Sequence, residues 1–165
     1  MNLTSEQIRF TLWNTFFSPI SMAIIWAFFP VLSSHDLWEL AGKQGDYGDF
    51  LQTIAINALY LLPRYLVLCY ATMILPVGII SFLISFACSG HPTRLIKKRF
   101  INVLIFLVLT IIFFGLAILI VQFYQMHYVA ATHLAFGLGF GAGFSYVTVL
   151  YIMARKNKED STSTS

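Results

Sequence analysis

Residues 100–154 read FINVLIFLVLTIIFFGLAILIVQFYQMHYVAATHLAFGLGFGAGFSYVTVLYIMA, 55 residues without one Asp, Glu, Lys or Arg. Soluble domains carry about 25% charged residues, so an uncharged run of this length places the chain in a lipid bilayer. A basic cluster precedes it (Arg94, Lys97, Lys98, Arg99) and another follows it (Arg155, Lys156, Lys158). As one helix the run would reach roughly 80 Å, against a hydrocarbon core of about 30 Å. It must therefore be two spans, about 100–121 and 129–153. The polar-aromatic patch at 122–128, QFYQMHY, supplies the reversal.

The two spans differ. The first is almost purely Ile, Leu, Val and Phe, and is expected to be the most lipid-exposed helix. The second carries Gly137, Gly139, Gly141 and Gly143 through its middle. Gly137 pairs with Gly141 and Gly139 with Gly143 as two GxxxG motifs; Ala135 and Ser145 extend the two rows. Small residues at this spacing let helices approach closely, the main association device where lipid removes the hydrophobic drive. Ala135 to Ser145 is thus the expected helix-packing stretch.

Upstream, Thr4 or Ser5 can cap a helix that runs into an uncharged stretch from Phe10 to His35. One span, about 12–32, fits there, with Pro19 inside it. The N-terminus lacks the charged n-region and cleavage site of a secretory signal, so this segment is expected to be retained as an anchor. Residues 33–50 form an acidic loop in which Asp36, Glu39, Asp46 and Asp49 oppose Lys43. In 50–62 the polar residues Gln52, Thr53, Asn57 and Tyr60 recur at three to four residues, opposite Leu51, Ile54, Ala55, Ala58 and Leu62. This pattern predicts an interfacial amphipathic helix, interrupted at Pro63-Arg64 and followed by a span at about 65–87. Pro76 and Gly78 predict a bend within that span. Arg64 lies about 37 Å along a helix from Ser89, at headgroup level, where it either snorkels as an anchor, pairs with Asp49 or reads an anionic ligand.

The expected architecture is all-α: an integral membrane four-helix bundle with the additional interfacial helix, one membrane domain over 1–165 with a disordered tail at 155–165. Eight of the ten basic residues fall on the side of the second loop and the termini; Lys43 and Arg64 fall on the other. This bias predicts both termini in the cytoplasm. The pI near 9.0 is accounted for by these flanking charges, and no nucleic-acid partner is implied.

Catalytic and metal chemistry finds little support. No Asp or Glu lies in a proposed span, which argues against a proton or sodium pump. Cys69 and Cys88 are about 28 Å apart along one helix, too far for a disulfide. There is no HExxH, nucleophile elbow or P-loop. His35, His127 and His133 can gather at one face, but no spacing among them enforces a metal site, so no metal and no cofactor are assigned. An enzyme would have to use polar residues such as Arg64, Tyr60 or His133, with Arg64, His127 and His133 as the outer-face set.

In size and layout the chain resembles the small multispan inner-membrane proteins that protect bacteria from pore-forming toxins or exclude redundant plasmid entry. The resemblance implies an immunity, exclusion or accessory-subunit role in a bacterial inner membrane. The expected partners are the lipid bilayer and a membrane protein or second copy, recognised helix to helix, without enzymatic activity. A small oligomeric transporter or channel component is the alternative, and a membrane enzyme using the Arg/His set the second.

Overall fold

The computed structural model describes residues 3–32, 39, 42, 47–87, 92–93, 98–124 and 128–163. These form four long helices and no strand: α1 (Ser5–Leu32), α2 (Tyr47–Ala87), α3 (Arg99–Tyr124) and α4 (Tyr128–Ser163). Each contains a segment long and apolar enough to cross a membrane: Ser5–Phe29, Phe50–Ala87, Arg99–Phe123 and Ala131–Lys156. The chain is a multi-pass, all-α membrane protein.

Neighbouring helices run antiparallel, and their spatial order is α2, α1, α4, α3. The two helices in the middle, α1 and α4, are those whose sequences carry small and polar residues. The two outer helices are the greasier ones. In the most apolar stretch of α4, 61% of residues are buried, against 17% in α3. That contrast follows from side-chain size: glycine and alanine favour close backbone contact, whereas long aliphatic chains face lipid at no cost.

Helix α1 opens on a capping box. The Thr4 hydroxyl accepts from the Gln7 backbone N–H (3.2 Å), and the Gln7 side-chain oxygen accepts from the Thr4 N–H (2.8 Å). Two orphan donors are satisfied reciprocally. Between them, Glu6 accepts from the backbone N–H of Thr93 (2.9 Å) and from its hydroxyl, tying the α2–α3 connection to the start of α1. Thr4→Ala is expected to cost about 1 kcal/mol, and to raise amide exchange only in the first turn of α1.

The segment 50–62 is not separate from the second span. Both belong to α2, which runs 41 residues through Pro63 and Pro76. A helix of that length reaches roughly 61 Å, about twice the hydrocarbon core, so its N-terminal part extends beyond it. Proline removes one backbone hydrogen bond without forcing a break where the rest of the helix is sustained by its surroundings. The amphipathic pattern survives in part as a difference in burial: Ile54 and Ala58 are buried and Ala55 and Leu62 half-buried, while Gln52, Thr53, Asn57 and Tyr60 are exposed, but so is Leu51 of the apolar face. Continuity also disposes of an Asp49–Arg64 ion pair, because fifteen residues of one helix hold them about 22 Å apart.

Helix α4 likewise continues to Ser163, so residues 155–163, expected to be a disordered tail, extend the last helix. No Gly or Pro interrupts the chain after Gly143, and extending a nucleated helix is far easier than starting one.

Candidate functional site

The half of the bundle near the chain termini is sewn together by polar side chains. Asn14 of α1 is the hub. Its amide nitrogen donates to the Ser81 hydroxyl of α2 (2.6 Å), and its oxygen accepts from Ser145 of α4 (2.9 Å) and from Ser18 (3.3 Å). All four residues are at most 3% exposed. One amide thus joins three helices in a medium where an unmet polar group is costly. Beside it, Gln7 donates to the Ser85 carbonyl of α2 (3.3 Å). Tyr146 of α4 donates to Asn102 of α3 (3.0 Å). Tyr70 of α2 also donates to the Phe16 carbonyl of α1 (2.9 Å).

The glycine rows lie inside the chain's own fold. Gly137 and Gly141 face α1: a Cβ on Gly137 would lie 2.6 Å from Trp26 Cβ, and one on Gly141 2.6 Å from the Met22 backbone nitrogen. Gly139 and Gly143 face α3: a Cβ would lie 3.0 Å from the Thr110 carbonyl oxygen at the first and 2.6 Å from the Phe106 ring at the second. Two residues along a helix turn it by about 200°, so alternate glycines serve neighbours on nearly opposite sides. Ser145, which ends the first row, reaches Asn14; Ala135, which begins the second, is buried in the apolar core.

Phenylalanine divides between two roles. Phe10 and Phe113 are fully buried, and Phe136 stacks on Phe29 (4.5 Å) and Phe140 (5.6 Å) between α1 and α3. Others, such as Phe100 and Phe123, are 81% exposed.

The half of the bundle away from the termini is built differently. There the outer helices α2 and α3 leave between them an apolar groove of about 460 Å³. Leu68, Cys69, Thr72 and Met73 of α2 line one side and Ile120 of α3 the other. Trp26 of α1 and Leu134 and Leu138 of α4 lie between. The groove contains no charged side chain, and its one hydroxyl, on Thr72, is committed to the Leu68 carbonyl (2.7 Å). Tyr65, one turn from Cys69, stacks on Trp26 at 4.2 Å.

Of the polar set read from the sequence, Arg64 and His133 lie within the described residues. Arg64 is exposed on α2 and hydrogen-bonds to no described residue, His133 included. His133 sits on α4 with its ring edge-on to Phe29 (5.7 Å). His127 lies outside the described residues, as do His35 and Cys88. Among the described residues no three His, Cys, Asp or Glu side chains form a cluster that could hold a metal.

Sequence reasoning misses the polar hub, although a signal exists. Gln7, Thr11, Asn14 and Ser18 recur at three to four residues along the first span, one helical stripe, and Ser81 and Ser85 are four apart on the second. The chain matches no protein family model, no curated protein and no solved structure.

Proposed function

We propose that this chain acts by recognition within the bilayer, without a catalytic step, as an immunity, exclusion or accessory-subunit type of membrane protein. The observation that carries this reading is that the Asn14 hub and the glycine rows are engaged within the chain's own fold. Asn14, Ser18, Ser81 and Ser145 bond to one another, and the glycines are spent on α1 and α3. What is left for a membrane-protein partner or a second copy is the lipid-facing side of α2 and α3. There Leu75 is 72% exposed and Ile111 70% exposed. A bacterial inner membrane with both termini cytoplasmic suits the distribution of basic residues.

Photo-crosslinking in native membranes tests this. A photoreactive side chain at Leu75 or Ile111 is expected to yield discrete protein adducts, and one at the buried Leu138 none. Lipid adducts alone at both exposed sites would sink the proposal.

The same closed network supports recognition over transport. A solute path needs a row of polar groups free to meet the solute; those of the hub already meet one another, and among the described residues only the Thr11 and Ser85 hydroxyls are buried without a partner. The enzyme alternative draws no support from Arg64 and His133, which are not bonded to each other.

A further inference from the structure

The groove and Arg64 are more informative together than apart. Arg64 lies one turn from Leu68 and two turns from Thr72 on α2, so it continues the rim that these two exposed residues form. It makes no ion pair with any described residue. Its height suits an interface: 23 residues separate it from the far end of α2 at Ala87, about 35 Å, slightly more than the hydrocarbon core. From Arg64 down to Met73 the helix descends about 13 Å, close to the depth of one leaflet's acyl chains, about 15 Å.

We propose that this is a lipid site for an anionic glycerophospholipid. One acyl chain lies in the groove between α2 and α3, against Met73, Ile120 and Leu138, and the phosphate sits on the Arg64 guanidinium. The volume of about 460 Å³ is that of a small-ligand pocket. The lining is predominantly apolar, with the Thr72 hydroxyl turned back onto its own helix, so a hydrocarbon chain is favoured there over water. Charge complementarity sets the headgroup. Guanidinium offers a planar donor fork that matches phosphate oxygens. No carboxylate among the described residues stands near enough on α2 to receive the ammonium of a zwitterionic headgroup, since Asp49 is about 22 Å away along the helix. A net anionic lipid is therefore preferred over a zwitterionic one. The occupant comes from the surrounding leaflet through the open side of the groove.

Trp26 lines the groove and serves as the reporter. The full chain carrying Trp13→Phe and Trp38→Phe, which leaves Trp26 as its single tryptophan, is placed in phosphatidylcholine nanodiscs. Phosphatidylglycerol or phosphatidylcholine with brominated acyl chains is titrated in, and quenching is followed. Brominated phosphatidylglycerol is expected to reach half-quenching at a mole fraction about five-fold lower than brominated phosphatidylcholine. Arg64→Gln should merge the two curves, and Arg64→Lys should keep part of the gap. Thr72→Phe, which narrows the groove at an exposed position, should reduce quenching by both lipids. Arg64 and Thr72 are both exposed, so these variants should fold, and helix content by circular dichroism checks it. Equal half-quenching mole fractions for the two lipids in the parent chain would overturn the proposal, as would a gap that survives Arg64→Gln. So would an unquenched Trp26 with a second copy crosslinked from Thr72→Cys, which would make the occupant protein.

Discussion

Gly141→Leu is expected to abolish the folded bundle. Even a single Cβ at this position would lie inside van der Waals contact with the Met22 Cα and 2.6 Å from the Met22 nitrogen. Both atoms belong to the backbone of α1, which cannot swing aside as a side chain can. The two central helices would have to separate, and the buried contacts on either side of the crossing would loosen with them. Core overpacking typically costs 1–3 kcal/mol and occasionally more. Here the obstacle is backbone, so Gly141→Ala is expected to reach the upper part of that range, about 3 kcal/mol, and Gly141→Leu to exceed it. Gly115→Ala is the matched control: nothing lies within 4 Å of the point where its Cβ would stand, and alanine is the better helix former by about 1 kcal/mol. Unfolding in mixed micelles, followed by circular dichroism, measures all three. A Gly141→Leu chain as resistant as the parent would show that α1 and α4 do not cross there.

This result bears on how any partner assay is designed. Leucine at Gly139 or Gly141 would at first sight be a probe of partner binding. Because both glycines contact helices of the same chain, loss of a partner after such a change would report loss of the fold. The exposed positions Leu75 and Ile111 avoid that confusion.

Asn14→Leu is expected to be the second most damaging change. It deletes three hydrogen bonds at once and leaves the hydroxyls of Ser18, Ser81 and Ser145 without their shared partner in a region with no water to replace it. Interhelical hydrogen bonds in membranes average about 0.6 kcal/mol, with a maximum near 1.7. Two of the three bonds are interhelical, to Ser81 and Ser145, and on that scale sum to roughly 1–3 kcal/mol; the third, from Ser18, lies within α1. The serines can turn back to carbonyls of their own helices, which offsets part of the loss. Leucine also forces a branched apolar group among three hydroxyls. A drop of about 2 kcal/mol in the same unfolding assay is expected. Ser145→Ala, which removes a single bond at the edge of the hub, should cost about 0.6 kcal/mol. If Asn14→Leu proves neutral, the hub does not hold the three helices together.

Much of the architecture is legible without coordinates, for a plain reason. In a bilayer every backbone polar group must be satisfied within its own segment, so an apolar run of sufficient length is a helix. Charge and length then count the spans. The contrast between α3 and α4 is legible too, because side-chain size alone separates a lipid-facing helix from one that packs closely. Two features resist. Pro63 reads as an end of helix, yet the chain carries its helix through it. The charged residues after Ala154 read as a free tail, yet they extend α4. Both differences arise where local composition points one way and the neighbouring turns of an established helix decide the other.

The sequence alone therefore determined that this chain crosses the membrane four times, and that the glycine rows at Gly137–Gly141 and Gly139–Gly143 press against something. Only the tertiary structure decided what that something is. A GxxxG face reads the same whether the apposed helix belongs to the same chain or to another, because the motif encodes a distance of approach and no identity. Here α1 and α3 fill both faces. The same holds for Asn14 and Arg64. A polar residue in an apolar run announces a partner without naming it, and the partner follows from which helices are brought side by side. For Asn14 it is three serines on three helices. For Arg64 the fold supplies a neighbouring groove and, among the described residues, no ion-pair partner.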